Sequence, residues 1–167
     1  MIFVTVGTDQ PFDRMLRVID SWARDNQRRD VFAQIGDGAW EPDYIKFTGF
    51  LKPAEFQRRF MEASLIISHA GMGTILTALL NGKTILVMPK LASLGEHRNE
   101  HQTATARKMA DLGNVNVAFD ENELRNRLEH LENLKLPTPI GSFASEGLLS
   151  ALRGFIHQEA IQVGSDF

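Results

Sequence analysis

Apolar residues along this chain fall into short unbroken runs, and between them apolar positions recur at helical spacing. The run MIFVTVG (1–7) is β-branched and closes on a glycine, which predicts a buried strand at the very start. VFAQIG (31–36) and YIKFTGF (44–50) predict a second and a third strand. SLIISHAG (64–71), TILVMP (84–89) and VNVAF (115–119) predict three more. Phe12, Met15, Leu16, Ile19, Trp22 and Ala23 lie on one helical face, with Pro11 suited to the first helical position. Pro53 opens a short helix carrying Phe56 and Phe60, and TILTALLNG (74–82) reads as a helix stopped by Gly82. A loop is expected from Lys90 to about Asn99, followed by a helix ending at Gly113. Leu124, Leu128, Leu131 and Leu134 predict one further helix. Pro137 and Pro139 break the chain, Leu148, Leu149, Leu152, Phe155 and Ile156 predict a last helix, and the end from about Glu159 is expected to fray.

Strands therefore alternate with helices, and the strands are apolar throughout rather than every second residue. That is the pattern of a sheet covered on both faces: a doubly wound, mostly parallel, Rossmann-like α/β fold. The expected organisation is one domain over residues 1–158, with 159–167 as a tail. Ligands of such sheets bind beyond the carboxyl ends of the strands. Residues 7–10, 50–52, 69–74 and 89–102 are therefore the loops that matter.

Composition narrows the chemistry. The chain has 167 residues, 43% hydrophobic and 23% charged, with a net charge of -3. That balance argues against a nucleic-acid binder, which needs clustered Lys and Arg; the pairs Arg28-Arg29 and Arg58-Arg59 read as solvated helix ends. The absence of cysteine excludes disulfides, thiolate metal sites and thiol nucleophiles. No basic, signal-like leader precedes the first strand, and no apolar run nears the roughly 20 residues that span a bilayer.

Two motifs stand out. His97-Arg98-Asn99-Glu100-His101 is a literal H-x-x-E-H, the zinc string of inverted metalloproteases. A third protein ligand would still be needed, and Gly95 sits so close that His97 is expected in a loop rather than on a helix. The plain alternative is a set of polar loop and cap residues. The second motif, Ser68-His69-Ala70-Gly71-Met72-Gly73-Thr74, joins a strand to a helix. Two glycines there permit a sharp turn and close backbone approach, and the helix start offers unpaired N–H groups and a positive dipole end. Together these suit a diphosphate; the plain alternative is a tight turn required for packing. The pattern is neither G-x-G-x-x-G nor a P-loop, and the end of the first strand, VGTDQP, lacks the dinucleotide fingerprint. The site is thus expected in the second half of the sheet. His69 is placed to look into the cleft or to sit in the core. A Ser68–His69 hydrolase dyad is disfavoured, because strand neighbours point to opposite faces.

FVTVGT…FDR, LIISHAGMGTILTALLNGKTILVMP and GEHRNEHQTATA…MADLG, taken in order, resemble the C-terminal, nucleotide-sugar-binding half of family 28 glycosyltransferases. Most of residues 1–118 take part, and the likeness is to stand-alone members, such as PssE-like exopolysaccharide subunits and the soluble subunit of two-part UDP-GlcNAc transferases. The resemblance implies half of a GT-B fold that binds a UDP-sugar as donor, with no metal or other cofactor. It places the uracil at Phe50 and Leu51, and the diphosphate at His69, Ala70, Gly71, Met72, Gly73 and Thr74. Sugar hydroxyls fall to His101 and Gln102, with Glu100 beside them. Thr77 stands where many relatives carry a ribose-gripping glutamate, and Glu100 or Glu96 could assist there. Single inverting displacement is the implied reaction, with Asp9, Asp13 and His69 as candidate bases, Asp13 alternatively being a solvated acid of the first helical turn. The resemblance also implies a membrane-anchored, acceptor-binding partner subunit and a lipid-linked acceptor, and so a cytoplasmic protein peripheral to the membrane. The last helix is a candidate docking surface or part of the core; a homo-oligomer stays open. The competing reading is a non-catalytic nucleotide-sugar-binding module.

Overall fold

Alternation along the first strand, β1 (Ile2–Thr5), sends Ile2 and Val4 to one side of the sheet and Phe3 to the other. In the computed structural model, which describes residues 1–136, both sides are covered by helices, so both sets are buried. The remaining elements follow the expected order: α1 (Asp13–Asp25), β2 (Val31–Gln34), β3 (Lys46–Thr48), α2 (Pro53–Glu62), β4 (Leu65–His69), α3 (Met72–Leu80), β5 (Thr84–Met88), α4 (His101–Leu112), β6 (Asn116–Val117) and α5 (Glu121–Glu129). The six strands pair in the order β3-β2-β1-β4-β5-β6, every pair parallel.

One core joins Ile2, Val4, Ala33, Ile67 and Leu86 to the apolar face of α1 and to Leu124 and Leu128 of α5. The other joins Phe3, Ile66, Ile85 and Val87 to Phe60 of α2, Ile75 and Leu79 of α3 and Met109 of α4. Each fully buried side chain of this size contributes about 1.5–3 kcal/mol. This two-sided burial is the physical reason the strands read as continuous apolar runs. No described helix is long and apolar enough to cross a membrane.

Local punctuation worked as expected at Pro53, the first residue of α2, and at Gly82 and Gly113, which end α3 and α4 with φ of +60° and +73°. Two expectations need correction. Pro11 precedes α1 rather than opening it, because the buried Phe12 keeps φ −136° and the helix begins at Asp13. The leucine series does not share one helix: α5 ends at Glu129, and Leu131–Asn133 forms a separate 3-10 turn that still brings Leu134 into the core. The 90–99 loop contains a 3-10 turn, Ala92–Leu94, closed by Gly95 at φ +71°. The expected last helix, the domain end at 158 and the tail lie outside the described residues.

Candidate functional site

β1 sits at the centre of the sheet beside β4. The chain leaves β1 toward β2 and leaves β4 toward β5, so the crossovers part company between these two strands. A crevice opens at such a switch point, outside the carboxyl ends of the strands. Here it is a cleft of about 380 Å³. Thr5, Gly7 and Thr8 line it from the end of β1, Gln34 from β2, and Phe56 and Phe60 from α2. His69, Gly71, Gly73, Thr74 and Thr77 line it from β4 and α3. The cleft therefore belongs to both halves of the sheet, not to the second half alone.

The turn into α3 has the features its sequence suggested. The helix begins at Met72 with Gly71 as its cap residue and no side-chain cap. Ile75 donates to the Gly71 carbonyl, whereas the N–H groups of Met72, Gly73 and Thr74 have no partner among the described residues. Helix geometry leaves those N–H groups over, and donors of this kind suit an anion. A Cβ on Gly73 would meet nothing within 4 Å. Ala70 is buried in the core and Met72 packs partly against it, so the backbone is what these two residues can present to a ligand.

Gly71 has a packing role as well. A Cβ there would lie 2.2 Å from His69 Nε2, and a Cβ on Gly7 would lie 2.7 Å from His69 Cε1. The imidazole is thus seated between two glycines from different loops. Gly7 also has φ +83°, which disfavours any other residue. Ser68 Oγ lies 3.2 Å from His69 Nδ1. The expectation that strand alternation separates these two side chains is therefore wrong. His69 is the last residue of β4, where the chain turns away and the ring is free to fold back. Burial pushes the His69 pKa down to about 4, Lys90's charge acts in the same direction, and a hydrogen bond with the Thr5 backbone opposes them. The ring is neutral at pH 7, with one donor and one acceptor nitrogen.

Of the other expected residues, Thr77 lines this cleft, whereas Phe50, Leu51, Asp9 and Asp13 are not among its lining residues. Phe50 is 47% exposed on the loop after β3. Leu51 donates its N–H to Gln34 Oε1 at 3.1 Å, which ties that loop to the end of β2. Thr77 Oγ1 donates back to the Gly73 carbonyl at 2.8 Å within its own helix. Asp9 is exposed, 3.8 Å from Arg98. Asp13 accepts the Trp40 N–H at 3.0 Å, so it anchors a loop instead of standing free.

The histidine-rich segment is held together internally. Glu96 makes two hydrogen bonds of 2.9 Å with Arg14 and accepts the Leu91 N–H, so its carboxylate is not free to assist ribose binding. Arg14 also reaches Glu121 and the Pro89 carbonyl. Glu100 accepts the Ser93 N–H at 3.2 Å. Gln102 is buried, with its Oε1 accepting the Lys90 N–H at 3.1 Å; its amide NH2 is the part left to offer. His101 opens α4 and is exposed; neither His101 nor Gln102 lines the 380 Å³ cleft. His97 precedes α4 and lies 3.1 Å from the Asn99 carbonyl through Nδ1. The two histidines of the H-x-x-E-H string therefore do not share a helix. Among the described residues, no group of three or more His, Asp or Glu is arranged to hold a metal ion.

Gly7 and Thr8 lie in the 7–10 loop expected at the ligand side of the sheet, whereas Thr5, Gln34, Phe56 and Phe60 join the cleft without a sequence signal, because each reads as an ordinary strand or helix residue.

The Glycosyltransferase family 28 C-terminal domain model matches residues 1–139. The UDP-N-acetylglucosamine transferase subunit ALG13 of Eremothecium gossypii is 29% identical over 122 residues, 72% of this chain and 58% of that protein. The chain thus spans little more than half the length of this curated relative. An NMR solution structure of ALG13 has a TM-score of 0.60 at 19% identity, covering 85% of this chain and 92% of that one. The crystal structure of the glycotransferase of kitacinnamycin has a TM-score of 0.59 at 18% identity, covering 79% of this chain and 34% of that one. At such identities the two structures speak to the fold alone.

Proposed function

This chain belongs to the glycosyltransferase family 28 C-terminal domain family, and on that premise we propose that it is the donor-binding catalytic subunit of a two-component glycosyltransferase. The donor is a UDP-sugar, the group moved is a hexose, and the acceptor is a lipid-linked saccharide in polysaccharide synthesis. A membrane-anchored partner subunit supplies the acceptor side and holds the protein at the cytoplasmic face. The curated relative's name, a UDP-N-acetylglucosamine transferase subunit, supports both the nucleotide and the two-part arrangement.

One observation carries this reading. The N–H groups of Met72, Gly73 and Thr74, unpartnered among the described residues, stand at the start of α3, and Gly73 and Thr74 line a cleft at the switch point of the sheet. Such a helix start favours a diphosphate, and the same donors would stabilise the charge that grows on a leaving UDP. Neutral His69 adds a polar wall beside them. Its low basicity makes it a poor general base, which leaves Asp9, exposed next in the chain to the cleft-lining Thr8, as the candidate to activate the acceptor. Phe50 and Leu51 are assigned to the uracil, and Glu100, His101 and the Gln102 amide to the sugar.

A thermal-shift panel of UDP, GDP, dTDP and their sugars, against ADP controls, tests the donor assignment. UDP compounds are expected to raise the Tm most; no shift beyond ADP overturns the assignment. The second reading, a non-catalytic binding module, draws on Thr77, whose hydroxyl is already bonded to the Gly73 carbonyl where relatives carry an acid. Donor binding without sugar transfer in the presence of the purified partner would select it.

A further inference from the structure

Lys90 is 1% exposed at the carboxyl end of β5, yet it is not part of the cleft lining. Its ammonium donates to the Gln10 carbonyl, on the loop that carries Gly7 and Thr8. On the way it passes the Phe12 ring, with Nζ 5.7 Å from the centroid. Its backbone N–H is held by Gln102 Oε1 at 3.1 Å. Asp9 and Glu96 favour its charge from nearby, but neither forms an ion pair with it. A methionine of similar length would fill this place without the cost of burying a charge, which reaches several kcal/mol per ion. A lysine here calls for a use.

We propose that Lys90 is a positioning residue that couples the loop carrying Gly7 and Thr8 to the segment carrying His101 and Gln102. The two ends of a nucleotide-sugar, diphosphate and sugar, are then recognised together. This rests on the donor-binding reading above. The two regions belong to different crossovers of the sheet, and Lys90 bonds to both, through different atoms. Arg14 with Glu96 and the Pro89 carbonyl, and Arg98 beside Asp9, join the same two stretches but do not touch Gln102.

Burial lowers the Lys90 pKa to about 8, with Asp9 and Glu96 opposing the fall. The ammonium is therefore present below that pH and lost above it. The charged or titratable groups around it are Asp9 on the β1–α1 loop, Arg14 on α1, Glu96 on the β5–α4 loop and His69 at the end of β4. His69 does not change charge between pH 7 and pH 9, since burial holds its pKa near 4.

The test has two parts. In the free wild-type protein, the amide NMR signals of Gly7, Thr8 and Gln102 should titrate together with a midpoint near pH 8. Separate midpoints, or no titration in one of the two regions, overturn the coupling whether or not the protein binds nucleotides. UDP-GlcNAc and UDP affinities are then measured by calorimetry at pH 7 and pH 9 for wild type and Lys90→Met. The advantage of UDP-GlcNAc over UDP should fall about tenfold in wild type at pH 9 and in Lys90→Met at both pH values. An unchanged advantage overturns the proposal while leaving the donor site standing. If Lys90→Met fails to fold, the wild-type pH series alone decides. If wild type binds no UDP compound, the donor-binding reading fails and this proposal with it.

Discussion

The two segments proposed to carry the chemistry, Ser68–Thr74 and Gly95–Gln102, use their polar groups in opposite ways. In the first, the N–H groups of Met72, Gly73 and Thr74 are unpartnered among the described residues, and Gly73 faces open space. In the second, polar groups are spent on the segment itself and its neighbours. Glu96 is taken by Arg14, Glu100 by Ser93, Asn99 by the His101 N–H, and Gln102 by Lys90. The difference separates a turn that leaves its donors open from a loop that keeps its own form. A helix start supplies donors without effort because its first N–H groups have no carbonyl to reach. An irregular loop must satisfy its backbone with side chains.

The largest effect that could break this contrast is at Arg14. Arg14→Ala removes the partner of Glu96 and Glu121, and Glu96 is nearly buried, at 11% exposed. Loss of one partner of such a pair should lower stability by about 3 kcal/mol. Urea unfolding measures it; a loss below about 0.5 kcal/mol would mean that the loop does not depend on this clamp.

Gly71→Ala comes next. Its Cβ meets the His69 ring, so overpacking should cost about 1–3 kcal/mol. His69→Ala should relieve most of that cost, which a double-mutant cycle reads directly. Additive losses would show that the glycine serves the backbone and not the ring.

The smallest effect sharpens the contrast most. Gly73→Ala places a methyl in open space within the first turn of α3, and helix propensity should raise stability by up to about 1 kcal/mol. The same methyl stands over the exposed N–H groups, so the thermal shift given by UDP should shrink or vanish. A variant that is more stable and still binds UDP as wild type does would remove the anion site from this turn.

Much of this was legible in the sequence for a local reason. β1, β4 and β5 announce themselves because both their faces are buried, so each apolar run is a record of the layers around it. Gly82, Gly113 and Pro53 mark ends through their own backbone limits, which need no distant neighbour. The turn at Gly71–Gly73 was readable as a helix start with spare N–H groups because helix N-termini behave alike in any fold. The role of Gly71 was not readable, because it answers to a ring seated by its fit against Gly7.

The amino-acid order by itself determined the elements, the two-faced burial of the sheet and the placing of a glycine turn before α3, since each follows from periodicity or from a single residue's backbone freedom. Tertiary structure alone decided that β1 lies against β4. That adjacency seats His69 between Gly7 and Gly71. Packing between the β1–α1 and β5–α4 loops likewise brought Lys90 to the Gln10 carbonyl and Glu96 to Arg14. These contacts join residues far apart in the chain, and strand order, a property of the whole sheet, brings them together.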